Sequence, residues 1–174
     1  MHGPDPHRPA RGQPVLLFLR MAPAWAFVDE VRHFVESFCA TASLGDDREA
    51  QIALATHELV QNAVAHAVTP TIELRLEVDG DRDRVAIEVS NVCAGGEAER
   101  LRGRVTALLA HEPLAAYVQA MRADPRAPGG LGLARLRYES QLEIEVHVEG
   151  ERVTVRASGR LRPPQLAAEM GVAS

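Results

Sequence analysis

Glu58, Asn62 and His66 stand at successive four-residue intervals in the run Thr56-His57-Glu58-Leu59-Val60-Gln61-Asn62-Ala63-Val64-Ala65-His66-Ala67. On a helix of about 3.6 residues per turn that spacing lines the three polar side chains along one ridge. Ile52, Leu59, Ala63 and Val64, with Leu54 and Val60 beside them, are left to face a core. A carboxylate one turn from a carboxamide offers hard oxygen ligands suited to Mg²⁺, and a carboxylate can also orient or deprotonate a hydroxyl. The same spacing describes the solvated stripe of an ordinary amphipathic helix equally well. The ridge needs a second feature before it reads as a site.

Gly129-Gly130-Leu131-Gly132-Leu133 supplies a candidate, with three glycines where a loop enters a helix. N–H groups at a helix start lack intrahelical partners, and the helix dipole favours an anion there. Glycine also lets backbone approach phosphate oxygens with no Cβ in the way. This is not a dinucleotide fingerprint, because no strand immediately precedes it and the G-x-G-x-x-G spacing is absent. Nor is it a Walker loop, since the chain contains no lysine. A lysine nucleophile is excluded for the same reason, and every fixed cation is an arginine. Arg126, Arg135 and Arg137 flank the turn and are either phosphate contacts or solvated side chains.

The elements that must position these residues follow from periodicity. Val15–Leu19 is a short apolar run that reads as a strand, ended by Pro23. Phe27, Val28, Val31, Phe34, Val35 and Phe38 recur at helical spacing to about Cys39, and core packing is the expected role of the three phenylalanines. Asp46 with Glu49 fits a capping box that opens a second helix, which carries the ridge and ends before Pro70. The period then changes. Ile72, Leu74, Leu76 and Val78 alternate with polar residues, as do Val85, Ile87 and Val89 beyond a turn at 79–81. Leu142, Ile144, Val146 and Val148 repeat the pattern, followed by Val153 and Val155 beyond Glu149-Gly150-Glu151. Alternation in four strands predicts an antiparallel sheet with one face on a core and the other in water. All helices then lie on one face, a two-layer sandwich. Between the strand pairs, residues 97–111 and 113–123 read as helices, then comes a Pro- and Gly-rich stretch, then a helix from Leu131.

Strand, helix, ridge helix, hairpin, helical insertion, glycine turn, helix, hairpin: in this order the chain resembles the GHKL (Bergerat) ATP-binding fold over roughly residues 15–157. Within that superfamily it is most similar to the anti-sigma-factor serine/threonine kinases of bacterial partner-switching systems. The stretch Glu58-x-x-x-Asn62-Ala63-Val64-x-His66-Ala67 resembles their N-box, and Gly130-Leu131-Gly132-Leu133 their second glycine box. A smaller group, the SiaB-type regulatory kinases, is similar as well. The resemblance implies an α/β chain of α+β type, a mostly antiparallel mixed sheet with helices on one face. It implies ATP and Mg²⁺ as cofactors, Asn62 coordinating the metal, and Glu58 as base or orienter of the attacking hydroxyl. His66 would lie near phosphate or ribose, and Gly130, Leu131, Gly132 and Leu133 would cradle the phosphates under a lid of residues 97–129. The implied partner is a STAS-type antagonist protein, and a homodimer is the common assembly. The family places an Asp followed by Gly-x-Gly at the end of the second hairpin strand, to accept from the adenine amino group. Here Asn91 occupies the Asp position, Cys93 that of the first glycine, and Gly95 keeps the second. A neutral Asn oxygen still accepts, but loss of charge assistance costs on the order of 1 kcal/mol, roughly tenfold in affinity. A fold-sharing protein-binding module with weak or no nucleotide affinity is the alternative this departure leaves open.

Composition narrows the remaining classes. At 174 residues, 46% hydrophobic and 25% charged, the chain has the profile of one soluble globular domain, expected over residues 15–160 with a leader at 1–14 and a tail at 161–174. A net charge of −5 argues against a nucleic-acid footprint. No apolar run suits a membrane span and no signal-like start is present, so the cytoplasm is the expected compartment. Cys39 and Cys93 make neither a disulfide framework nor a zinc site. Cys39 reads as a small core residue and Cys93, in the turn, as a residue open to exposure. The seven histidines show no ligand spacing, with His33, His111 and His147 expected at the surface.

Overall fold

A computed structural model describes residues 14–41, 46–123 and 130–162. The leader up to residue 13, Arg126, Gly129, the end of the insertion at 124–129 and the tail beyond Arg162 lie outside the described residues. Five strands, β1 (Val15–Met21), β2 (Ile72–Asp79), β3 (Arg84–Val92), β4 (Glu143–Glu149) and β5 (Arg152–Arg160), make one sheet ordered β1-β2-β3-β5-β4. The helices are α1 (Val28–Thr41), preceded by a short 3₁₀ turn at Trp25–Phe27, then α2 (Asp46–His66), α3 (Glu97–Leu109), α4 (Pro113–Arg122) and α5 (Leu131–Ser140). The two-layer α+β architecture expected from alternation is the one observed. All four strand pairings are antiparallel, in line with the mostly antiparallel sheet expected. The reason lies in the second hairpin: β4 runs parallel to β3, but β5 inserts between them, so no parallel pair forms.

Register sorts the side chains into layers. Leu17, Leu76, Ile87, Ala157 and Ile144 align across the five strands on one face, and all but Leu17 are buried. The adjacent row on the opposite face is Phe18, Arg75, Glu88, Arg156 and Glu145. There Arg156 pairs with Glu88 at 2.7 Å and approaches Glu145 at 3.9 Å. The apolar face is closed by α1, α2, α3 and α5, which share one core with it. Each fully buried Val, Leu or Ile there contributes about 1.5–3 kcal/mol. Helix α4 packs outside that core on α5, where Tyr117 and Tyr138 stack with centroids 5.2 Å apart.

One expectation is corrected. In α1, Val28, Val31, Val35 and Cys39 take the core side, which turns Phe27 and Phe34 onto the outer flank at 47% and 49% exposure. Only Phe38 packs against the core. Cys39 is fully buried, and burial pushes its thiol up to about 12. His33, His111 and His147 are exposed, as expected. Helix α2 begins at Asp46, whose side chain lies outside the described residues. At its other end the Val68 N–H donates to Val92 O at 2.9 Å, and Ala67 bridges Cys93. That junction fixes the end of the ridge against the end of β3. Beyond β5, Leu161 is buried and its N–H donates to Asp83 O at 3.0 Å.

Candidate functional site

Helix α2 buries its apolar side in the core and turns the ridge toward α5 and α3. Glu58 is 9% exposed, a buried carboxylate. Across from it stands Gly132, in the first turn of α5. A Cβ there would overlap Glu58 Oε2 and lie 3.3 Å from its carboxyl carbon. The glycine leaves room for the Glu58 carboxylate, which fills the space a side chain at 132 would take. Arg135, one turn further along α5, brings a guanidinium nitrogen to 3.6 Å from Glu58 Oε1 and donates through Nε to Glu139 at 3.1 Å. Burial pushes the Glu58 carboxyl up; the charges of His57, Arg135 and Arg32 pull the other way, and Glu139 adds to the rise. Desolvation of the charged form outweighs the neighbouring cations here.

Asn62 follows one turn on, half-buried. His66 closes the ridge with Nδ1 3.7 Å from Glu97 Oε2, at the start of α3. Glu97 also accepts from Arg100, which holds its carboxyl below the usual range. Helix α3 is entered through Gly96, whose φ of +82° is one that side chains avoid. The ridge thus touches α5 at one end and α3 at the other.

Asn91 lies on the core face of β3, opposite Val153, and is 6% exposed. Its amide nitrogen donates to Cys93 Sγ at 3.2 Å. Cys93 is itself buried at 2% exposure, contrary to the expectation for a turn residue. Strand β3 runs on to Val92, and the Cys93 N–H donates to Glu151 O, so Cys93 belongs to the sheet rather than to the turn. Burial pushes its thiol up. Gly95 is exposed with open space around it.

At the glycine turn, Gly130 is the N-cap of α5 and no side chain caps that end. Open space surrounds Gly130 as well. The first-turn N–H groups of Leu131, Gly132 and Leu133 are those a helix leaves without intrahelical acceptors. Leu131 is 47% exposed, while Leu133 reaches the core. Of the flanking arginines among the described residues, Arg135 faces Glu58. Arg137 donates to Leu108 O at 3.1 Å and His111 O at 2.6 Å, closing the end of α3. Its partners lie 26 and 29 residues away, which no local pattern discloses. A second feature the sequence did not disclose is a cavity of about 250 Å³ between α3, α4 and the start of α5, lined in part by Arg104, Leu108, Gln119, Gly130 and Leu133. Among the described residues, no cluster of three or more His, Cys, Asp or Glu side chains could hold a metal.

A sequence profile of the histidine kinase-like ATPase domain matches residues 22–159, which take in the ridge, the insertion and the glycine turn. The chain belongs to the histidine kinase-like ATPase family. Among solved structures this family member is similar to the crystal structure of the SiaB–SiaC complex from Pseudomonas aeruginosa, with TM-score 0.64 and 13% identity. The match covers 82% of this chain and 88% of that one. At that identity the likeness is one of fold. A comparison with curated protein sequences gives no significant match. Among the described residues, no helix of this histidine kinase-like ATPase chain is long and apolar enough to cross a membrane.

Proposed function

We propose that the chain is an ATP-binding, partner-switching serine/threonine kinase that phosphorylates a small STAS-type regulatory protein in the cytoplasm. The observation that carries this reading is the contact between Gly132 and the buried Glu58 carboxylate. It joins the acid of the ridge to a helix start with no side-chain cap, within a chain of the histidine kinase-like ATPase family. Two segments some seventy residues apart then form one cleft: one wall suits an anion, the other a hydroxyl.

The residues present fit a Mg²⁺–nucleotide. N–H groups of Leu131, Gly132 and Leu133, with Gly130 leaving the approach open, hold phosphate oxygens. Asn62 contributes one oxygen to a cation whose other ligands are phosphates and water, which is how Mg²⁺ is usually held. When bound, Mg²⁺ neutralises charge on the phosphates; what remains for the protein is positioning and electrostatics. Glu58 orients the acceptor hydroxyl and takes its proton as the new O–P bond forms and the bond to the leaving ADP breaks. A carboxyl pushed up by burial is the better base for this at neutral pH. His66, tied to Glu97, borders the phosphate and ribose side, and Asn91 and Gly95 border the floor. A homodimer belongs to the same proposal, with Phe27 and Phe34 on the outer flank of α1 as exposed apolar surface for contacts.

The test is transfer from labelled ATP, with Mg²⁺, to a STAS-type protein encoded beside this one. Transfer by the wild type and none by Glu58→Ala is expected; no transfer by the wild type ends the enzymatic reading. One observation favours a second reading, a module acting by protein contact alone: the buried Asn91 has its amide nitrogen engaged with Cys93. Calorimetry separates the two. Micromolar ATP binding supports the kinase, and no heat up to millimolar nucleotide supports the module.

A further inference from the structure

We infer that Arg135 is a positioning residue for the proposed transfer: held by Glu139, its guanidinium draws Glu58 Oε1 to itself and leaves Oε2, on the side of the glycine turn, to take the proton of the acceptor hydroxyl. This rests on the kinase reading above and deepens it, from the residue that acts as base to the oxygen that does so and the cation that selects it.

The selection follows from two positions on one face of α5. Gly132 and Arg135 stand three residues apart, which makes them neighbours along a helix surface, and both meet Glu58. A Cβ at 132 would overlap Glu58 Oε2, so that oxygen lies against the first turn of α5, where N–H groups lack intrahelical acceptors. Oε1 is turned to Arg135, whose Nη1 stands 3.6 Å away. At that distance the attraction is one of charge rather than a hydrogen bond. The guanidinium is itself fixed, because its Nε donates to Glu139 Oε1 at 3.1 Å. Leu133, Ala134 and Leu136 around it are buried, so α5 carries Arg135 on a backbone that the core holds.

As a stabilising device the arrangement does little. Arg135 and Glu139 form an i,i+4 pair with the cation on the N-terminal side, the less favourable order. Both side chains are partly exposed, and ion pairs in contact with solvent contribute little. At the buried Glu58 the same cation is far less screened. Burial is the largest influence on that carboxyl and pushes it up; charged groups then face it from three elements, His57 on α2, Arg135 and Glu139 on α5, and Arg32 on α1. Arg135 and Glu139 are partners of each other, yet they act on Glu58 in opposite directions. The cation favours the charged carboxylate and the anion disfavours it. Only a charged carboxylate can accept the proton, which moves to Oε2 as the hydroxyl oxygen bonds to phosphorus and the bond to ADP breaks.

The test is transfer from labelled ATP, with Mg²⁺, to the STAS-type protein encoded beside this one, followed against pH in the wild type, Arg135→Ala, Arg135→Lys and Glu139→Gln. A base limits transfer at low pH, so the acid limb of the rate reports the Glu58 carboxyl. Arg135→Ala should move that limb to higher pH by about half a unit, roughly a threefold loss on the limb. Glu139→Gln should move it to lower pH. Above the limb Glu58 is charged in every variant and only orientation is left, so Arg135→Ala should plateau at least roughly threefold below the wild type. Arg135→Lys, which keeps the charge without the planar fork, should restore the limb more fully than the plateau. Carboxyl ¹³C titration of Glu58 by NMR, with no nucleotide or partner present, should show the same opposite displacements in Arg135→Ala and Glu139→Gln. A purely structural ion pair would give one effect from the loss of either member. Displacements of the same sign, none in either variant, or a wild-type plateau in Arg135→Ala overturns the role of Arg135 and leaves the kinase reading intact. No transfer by the wild type overturns both.

Discussion

The Glu58 carboxylate sits where its charge is costly, and this gives its role a thermodynamic signature. Its carboxyl is pushed up from the ordinary value of 4.5, chiefly by burial. The native state therefore holds a proton there over a pH range in which the unfolded chain has lost it. Stability falls as pH rises through the folded value and is fully penalised above it. Glu58→Gln, neutral at every pH, should melt higher than the wild type at pH 8, and the gain should vanish as pH falls below 4.5. Thermal scans across pH check this; a gain independent of pH would mean that burial of the charge is not its source. Gly132 has the complementary signature. In Gly132→Ala the new Cβ meets the far end of a flexible side chain, so the carboxylate can swing aside. Helix propensity offsets the clash by about 1 kcal/mol. Stability to urea should change by less than about 1 kcal/mol, while transfer should fall at least roughly tenfold. Unimpaired transfer in that variant would remove Glu58 from the chemistry. Both arguments start from a spacing visible in the sequence, but the contact of position 132 with position 58 is visible only in the fold.

Among the elements, those that carry one clean period were legible. Apolar/polar alternation marked β2 through β5, and the 3.6-residue rhythm marked α1 and α2, because each of these buries a single face against one core. What failed was placement where two faces compete. Phe27, Phe34 and Phe38 share the helical rhythm of α1 and the turn before it, yet Val28, Val31, Val35 and Cys39 fill the core side and leave Phe27 and Phe34 outside. The end of β3 was misjudged at Cys93, which looks like a turn residue, whereas its N–H bond to the Glu151 carbonyl keeps it in the sheet. Helix α4 was legible as a helix but not as a roof on α5, since the Tyr117–Tyr138 stack joins residues of no shared pattern. The fastening of α3 to α5 is equally long-range, and it yields a prediction. Arg137→Ala removes two charge-assisted hydrogen bonds from carbonyls at the end of α3. Each is worth about 1.5–3 kcal/mol when fully retained. His111 is exposed, so water replaces part of that, and a net loss of about 1–2 kcal/mol follows. Faster hydrogen exchange localised to 105–112 is the expected readout, and an unchanged rate there would show that the guanidinium fastens nothing.

For the whole molecule, one buried cation connects what the sheet alone does not. Arg48, 6% exposed near the start of α2, donates to Gln51 Oε1 at 2.8 Å and to Ser140 O, the end of α5, at 2.6 Å. It also donates to Arg160 O at the end of β5. The helix with the ridge, the helix with the glycine turn and the last strand therefore meet on one guanidinium, whose partners lie 92 and 112 residues away. That separation is why no local pattern discloses it: Arg48 reads as one more charge in a helix start. Burial lowers its affinity for the proton, and the charge of Asp83 opposes that shift. Two effects then compete in Arg48→Met. Removing a desolvated charge is favourable and, for buried ion pairs replaced by apolar residues of similar volume, is worth about 1–4 kcal/mol. Here, however, the main partners are backbone carbonyls that stay buried after the substitution, and each unsatisfied one costs about 1–3 kcal/mol. No matching apolar change accompanies them, so the orphaned carbonyls win. Arg48→Met should lose about 2–4 kcal/mol in urea unfolding, and ATP affinity should fall with it, because α2 and α5 lose a shared anchor behind the cleft. Loss of stability with undiminished affinity would show that the two walls are aligned by the Glu58–Gly132 contact alone.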